Sequence, residues 1–178
     1  MRIVGGRHRG RHLKGPKDSK KTRPTSDRVR ESLFNILALY VKDSVFLDLF
    51  AGTGAVGIEA LSRGAIRLIA VEKDRQMVQI IRENLSILGE EAEILPVDVF
   101  KAINQLHKRG DIFNIVFADP PYHLMAGTKL TELVMPLLDE GGLFVLEHSP
   151  DEVIEQDVLE EIKQYTYGET VISLFRRR

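Results

Sequence analysis

The chain has 178 residues, 43% hydrophobic and 29% charged, with a net charge of −1 and no cysteine. That length fits one domain with a sizeable core, and the apolar content is too high for a disordered chain. Disulfides, thiolate metal sites and cysteine nucleophiles are excluded outright. No apolar run approaches the roughly 20 residues of a membrane span, and MRIVGGRHRG lacks the apolar core of a secretory signal. A cytoplasmic protein with no membrane partner is expected.

The near-zero net charge conceals a strong asymmetry. Residues 1–30 contain eleven Lys and Arg against two acids, a net +9, so the other 148 residues carry −10. Basic side chains concentrated in one segment are an electrostatic footprint of nucleic-acid binding. The blander reading is a solvated basic tail or a localisation signal.

In chain order, Arg2–Gly5 and Arg11–Lys14 can pair as a short hairpin across residues 6–10. Thr25-Ser26-Asp27 after Pro24 reads as a helix start, and Val29, Leu33, Ile36, Leu37 and Tyr40 predict an amphipathic helix from about Asp27 to Val41. Strands are expected at Val45–Phe50, Arg67–Val71, Ala92–Val97, Ile112–Ala118 and Leu143–Leu146. Between them, helices are expected at Ala55–Arg63, Asp74–Leu88, Phe100–Lys108 and about Thr128 to Leu138, mostly closed by glycine. Ile162–Tyr167 and Thr170–Phe175, flanking Gly168, read as a terminal hairpin. Alternating strands and helices imply an α/β fold: a mostly parallel sheet of seven strands, an antiparallel C-terminal edge, and helices on both faces.

Ligands of open α/β sheets bind beyond the carboxyl ends of the strands. Four consecutive strand ends here deliver a carboxylate: Asp48, Glu72, Asp98 and Asp119. The loop Gly52-Thr53-Gly54-Ala55-Val56-Gly57 satisfies G-x-G-x-x-G, which also suits a dinucleotide or a plain tight turn. Asp48 before it would repel a pyrophosphate and attract a cation such as a sulfonium nucleoside with an α-amino group. Asp119-Pro120-Pro121-Tyr122 is the sharpest signal. An exocyclic base amine is a poor nucleophile because its lone pair is delocalised into the ring. The Asp119 carboxylate and the Pro120 carbonyl can accept its two hydrogens, the prolines stiffen the loop, and Tyr122 offers a stacking face. The five histidines (His8, His12, His107, His123, His148) show no ligand spacing, and no metal is expected.

These motifs resemble the class I S-adenosylmethionine-dependent methyltransferases, and within them the bacterial ribosomal RNA small-subunit methyltransferase D family. The resemblance runs along essentially the whole chain. It is carried by Arg2-Ile3-Val4-Gly5-Gly6, by Thr22 to Phe34, by Asp48 to Gly54 and by Asp119 to Tyr122. It implies a Rossmann-like fold and methylation of the exocyclic amine (N2) of one guanine in 16S ribosomal RNA, yielding S-adenosylhomocysteine. Residues 1–41 would form a basic RNA-binding extension and 42–178 the methyltransferase domain. The implied cofactor contacts are Asp48, Phe50, Ala51, Gly52, Thr53 and Gly54 beside the methionine, Glu72 with Lys73 at the ribose, and Asp98 with Val99 at the adenine. Asp119, Pro120, Pro121 and Tyr122 would hold the target guanine. Arg7, Arg9, Arg11, Lys14, Arg23, Thr25, Arg28 and Arg30 would engage RNA, free or in an assembling small subunit. A monomer is expected.

Three other readings fit parts of the pattern. A nicotinamide-dependent oxidoreductase explains the glycine loop but gives Asp119–Tyr122 no task. A non-catalytic RNA-binding module explains the basic segment but not four strand-end acids. An amine methyltransferase acting on DNA adenine or protein glutamine shares the Asp-Pro-Pro-Tyr tetrad, but usually carries an added recognition domain for which 178 residues leave little room.

Overall fold

A computed structural model describes residues 1–16, 27–121, 127–155 and 157–177. Seven strands form one sheet in the order β3-β2-β1-β4-β5-β7-β6. They are β1 (Val45–Leu49), β2 (Arg67–Val71), β3 (Glu93–Leu95), β4 (Phe113–Ala118), β5 (Leu138–His148), β6 (Glu160–Tyr167) and β7 (Thr170–Arg176). The first five pair in parallel; β7 runs antiparallel to β5, and β6 antiparallel to β7. The expected architecture is therefore present, edge hairpin included.

Successive side chains leave a strand on opposite faces, so each buried strand feeds two cores. Phe46, Ile115, Phe117 and Val145 pack with α1 (Asp27–Ile36), α2 (Ala55–Ser62) and α3 (Arg75–Leu88). Leu47, Leu49, Val116, Ala118 and Leu146 pack instead with α4 (Val99–Arg109) and α5 (Gly127–Val134). Asp74 caps α3 by accepting from Gln76 N–H and Met77 N–H, and Gly89 in the left-handed region ends it.

Most ends shift by a residue or two, β3 shortening from the expected 92–97 to Glu93–Leu95, and three elements depart further. The first helix closes at Ile36 and the chain turns through Leu37–Tyr40, leaving Leu39 92% exposed. Reaching β1 requires that reversal, although the apolar spacing continues to Tyr40. The helix expected at 128–138 ends at Val134 in a 3-10 turn, Met135–Leu137, around Pro136, which has no N–H to continue the ladder. β5 is correspondingly longer than expected, eleven residues that reach past Leu146 to Glu147 and His148.

The hairpin at the N-terminus is present as an antiparallel bridge between Arg2 and His12, with Ile3 N–H donating to Arg11 O and Gly10 N–H to Ile3 O, both at 2.9 Å. Ile3 and Leu13 sink into the core with α1 and α2. Gly6 sits so close to the end of α2 that an added Cβ would lie 1.9 Å from Ser62 O. Nothing larger than glycine fits there.

Candidate functional site

The loop leaving β1 is held from several sides. Ala51 N–H donates to Val71 O on β2 at 2.9 Å, and Phe50 adopts φ 61°, a left-handed conformation uncommon for a non-glycine residue. Gly54, at φ 78°, begins α2. Asp48 is buried beneath this loop and accepts from Gly57 N–H at 2.9 Å. Burial pushes its carboxyl up to about 7, against the lowering effect of the Gly57 hydrogen bond, and the nearby Asp119 and Glu72 carboxylates push in the same direction as burial.

Glu72, at the end of β2, accepts from Gly52 N–H through Oε2 and from Asp74 N–H through Oε1, both at 2.8 Å. It thus ties the glycine loop to the start of α3. Lys73 beside it is exposed, and Thr53 is buried. Asp98 caps α4 through Phe100 N–H at 3.0 Å, and Val99 is buried in the core under that helix. Asp119 leaves the end of β4, with Pro120 buried and Pro121 exposed behind it. Burial pushes Asp119 up to about 6. Tyr122 lies outside the described residues.

One acid at this edge escapes the sequence reading. The β4–β5 register pairs Ala118 with Leu146, so the next residues, Asp119 and Glu147, stand side by side. Glu147 is 5% exposed, and its Oε2 is buried without a hydrogen-bond partner. Burial first, and Asp119 second, push its carboxyl up to about 8.

Asp48 and Glu147, both buried, and the half-buried Asp119 therefore form an acidic row along the carboxyl ends of β1, β4 and β5. Among the described residues, none of the three has a Lys or Arg ion-pair partner within 4.0 Å. Nothing lies within 4 Å of the Cβ position of Gly52, so the loop leaves open space above itself. Uncompensated acids beside an open glycine loop suit a positively charged ligand, as S-adenosylmethionine is. No cluster of three or more His, Cys, Asp or Glu suited to a metal occurs among the described residues. No described helix is long and apolar enough to cross a membrane.

The basic segment is less available than its charge suggests. Arg7 pairs with Glu90 at 2.6 Å, Lys14 with Glu83 at 3.0 Å, and Arg11 donates to Ile87 O at 2.9 Å. Burial opposes it, but hydrogen bonds from His8 and Arg7 hold the Glu90 carboxyl below its usual range. Arg9 and Arg28 are exposed; Arg23 and Thr25 lie outside the described residues. Arg30 is a correction. It is 0% exposed, donates to Arg2 O and to Asp27 Oδ1, and faces Glu59 rather than solvent. A guanidinium enclosed in the core has no route to an RNA phosphate in this fold.

A mostly parallel seven-stranded sheet with a glycine loop after β1, acids along the carboxyl edge and an antiparallel terminal hairpin is a Rossmann-like methyltransferase fold. A family model described as Conserved hypothetical protein 95 matches residues 1–176, and the chain belongs to that family. The Escherichia coli strain K12 protein named Ribosomal RNA small subunit methyltransferase D is 44% identical over 142 residues, covering 80% of this chain and 68% of that one. The solved structure of a hypothetical protein from Thermus thermophilus superposes with a TM-score of 0.85 at 35% identity, over 98% of both chains. A more distant likeness of fold is the T. thermophilus 16S rRNA N2 G1207 methyltransferase, solved with AdoMet and guanosine: TM-score 0.69, 22% identity, 91% of this chain and 45% of that one.

Proposed function

We propose that this protein transfers a methyl group from S-adenosylmethionine to the N2 amine of a guanine in small-subunit ribosomal RNA. The observation that carries the reading is one of position. Asp48 with its glycine loop and Asp119-Pro120-Pro121 leave adjacent, directly paired strands, so donor and acceptor sites share one edge. The name of the E. coli relative supports the choice of RNA.

When bound, S-adenosylmethionine supplies a methyl group made electrophilic by the sulfonium charge. Asp48 and the loop from Phe50 to Gly54 hold the charged methionine end, Glu72 and Lys73 the ribose, and Asp98 and Val99 the adenine. Each oxygen of Glu72 keeps a lone pair for a hydroxyl after accepting one backbone N–H, from Gly52 or from Asp74. Asp119 and the Pro120 carbonyl accept the two amine hydrogens and turn the nitrogen lone pair toward the methyl, while Tyr122 stacks on the base, which has left its helix to enter the pocket. Residues 1–41 serve as the RNA-gripping part and 42–178 as the catalytic part. Arg7, Arg9, Arg11, Lys14, Arg23, Thr25 and Arg28 supply the phosphate contacts, and the protein works as a cytoplasmic monomer without a metal.

Incubation with tritiated S-adenosylmethionine and naked small-subunit RNA, assembled small subunits, DNA or bulk protein tests this, followed by digestion to nucleosides. Label in N2-methylguanosine is expected from an RNA substrate. Label in adenine or in protein overturns the target, and failure to bind the cofactor overturns the reaction.

A further inference from the structure

The row of acids does not stop at the residue assigned to the acceptor amine. Along the sheet edge, Asp98, Glu72 and Asp48 follow the order β3, β2, β1; Asp119 stands on β4, and Glu147 next to it on β5. Glu147 therefore lies beyond Asp119, on the side away from the glycine loop. Its buried Oε2 lacks a donor, and a carboxylate oxygen shut away from water without one is costly. The ion pairs found elsewhere among the described residues do not reach it.

Resting on the reading above, we infer that Glu147 is a specificity-determining residue that accepts the N1–H of the target guanine. The Watson–Crick edge of guanine presents three hydrogens, two on N2 and one on N1. Asp119 and the Pro120 carbonyl account for the amine pair, and Glu147 supplies the third acceptor one strand further on. Adenine and cytosine also carry exocyclic amines, but the ring nitrogen beside each amine is itself an acceptor. Either base would set a lone pair against Glu147. A site built to receive a hydrogen rejects analogues that lack it, because its own polar group is left unpaired. Burial and Asp119 push the Glu147 carboxyl up to about 8, so the discrimination is complete only above that pH, where the carboxylate has no proton to offer a bare ring nitrogen.

The test uses a small-subunit RNA fragment containing the guanine located by the labelling experiment, and the same fragment with 2-aminopurine at that position. 2-Aminopurine keeps the N2 amine and has an unprotonated N1. At pH 8.5, where most of Glu147 is ionised, the wild-type protein is expected to prefer guanine at least threefold in kcat/KM; equal use of both fragments overturns the inference without needing any variant. In Glu147→Gln the amide N–H can donate to the bare N1, and the guanine to 2-aminopurine ratio at the same pH is expected to fall at least threefold, with S-adenosylmethionine binding by equilibrium dialysis retained. An unchanged ratio, whatever happens to the overall rate, overturns the inference. No methylation of the guanine fragment by the wild type counts against the parent reading instead.

Discussion

Arg30 and Glu59 meet inside the protein, Nε to Oε2 at 3.5 Å, with side chains 0% and 1% exposed. The same Glu59 carboxylate accepts from Val4 N–H and Gly5 N–H at 2.9 and 2.7 Å and from Arg63 Nε at 2.9 Å. One buried acid thus fastens the N-terminal hairpin, α1 and α2 to one another. Arg30→Met removes one of the two cations on this carboxylate, leaving it Arg63 and the two backbone donors, and takes the guanidinium donor away from Arg2 O and Asp27. It is expected to lower stability by about 1–3 kcal/mol, read from urea unfolding. A loss under about 1 kcal/mol would show that the pair holds little together.

Arg9 and Arg28 are exposed where Arg30 is not. Arg9→Ala and Arg28→Ala are each expected to weaken RNA binding and to reduce the slope of log affinity against log salt by about 0.7–0.9, the yield of one phosphate contact. Titrations between 50 and 200 mM salt measure it. Unchanged slopes in both variants would remove these residues from the RNA surface.

Asp119→Ala is expected to slow single-turnover methyl transfer by about 10²–10³-fold, the usual cost of deleting one well-placed polar group at a reacting centre. Asp119→Asn keeps an acceptor oxygen and is expected to lose far less. Equal losses in the two variants would mean that the charge of Asp119 matters rather than its hydrogen-bonding geometry.

The acidic row also fixes how stability depends on pH. Asp48, Asp119 and Glu147 rise to about 7, 6 and 8 in the folded protein, from ordinary carboxyl values of about 4. Between those limits the folded state binds more protons than the unfolded one. Stability is therefore greatest below pH 4 for these groups and declines as pH rises toward 8. Glu90 and Glu93 are held low and act with the opposite sign, but their contribution is lost only as pH falls below about 4.5. The melting temperature of the free protein is expected to fall from pH 5 to pH 8. On the proposed reading S-adenosylmethionine binds ionised Asp48, and at saturation it is expected to flatten that fall between pH 5.5 and 7.5. A melting temperature that climbs over this range would contradict the assignment.

The sheet is legible in the sequence because each central strand is a short apolar run closed by a turn signal, and each acid that ends such a run stands out. The same rule conceals Glu147. The run Leu143–Leu146 stops at an acid, so the acid reads as the start of a loop, although β5 continues through it. The preceding pattern on β4, apolar strand then carboxylate, is the signal that identifies it. Arg30 misleads because composition outweighs spacing. It precedes Leu33, Phe34 and Leu37 by three, four and seven residues, the stripe that faces a core. Its neighbours in a basic segment suggest solvent, and only a buried acid on another helix, Glu59 of α2, explains why it can sit inside.

Helix α2 begins at Gly54 of the glycine loop and ends where Ser62 O accepts from Arg7 N–H and Ser62 Oγ donates to Gly5 O. Its eight helical residues rise about 12 Å. On the proposed reading, the methyl donor sits at one end of this rod and the RNA-gripping hairpin at the other. The rod then works as a ruler, and the nucleotide that reaches the pocket is chosen partly by its distance from the phosphates held at the far end. Lengthening or kinking α2 would change which base is presented without touching a single residue of the pocket.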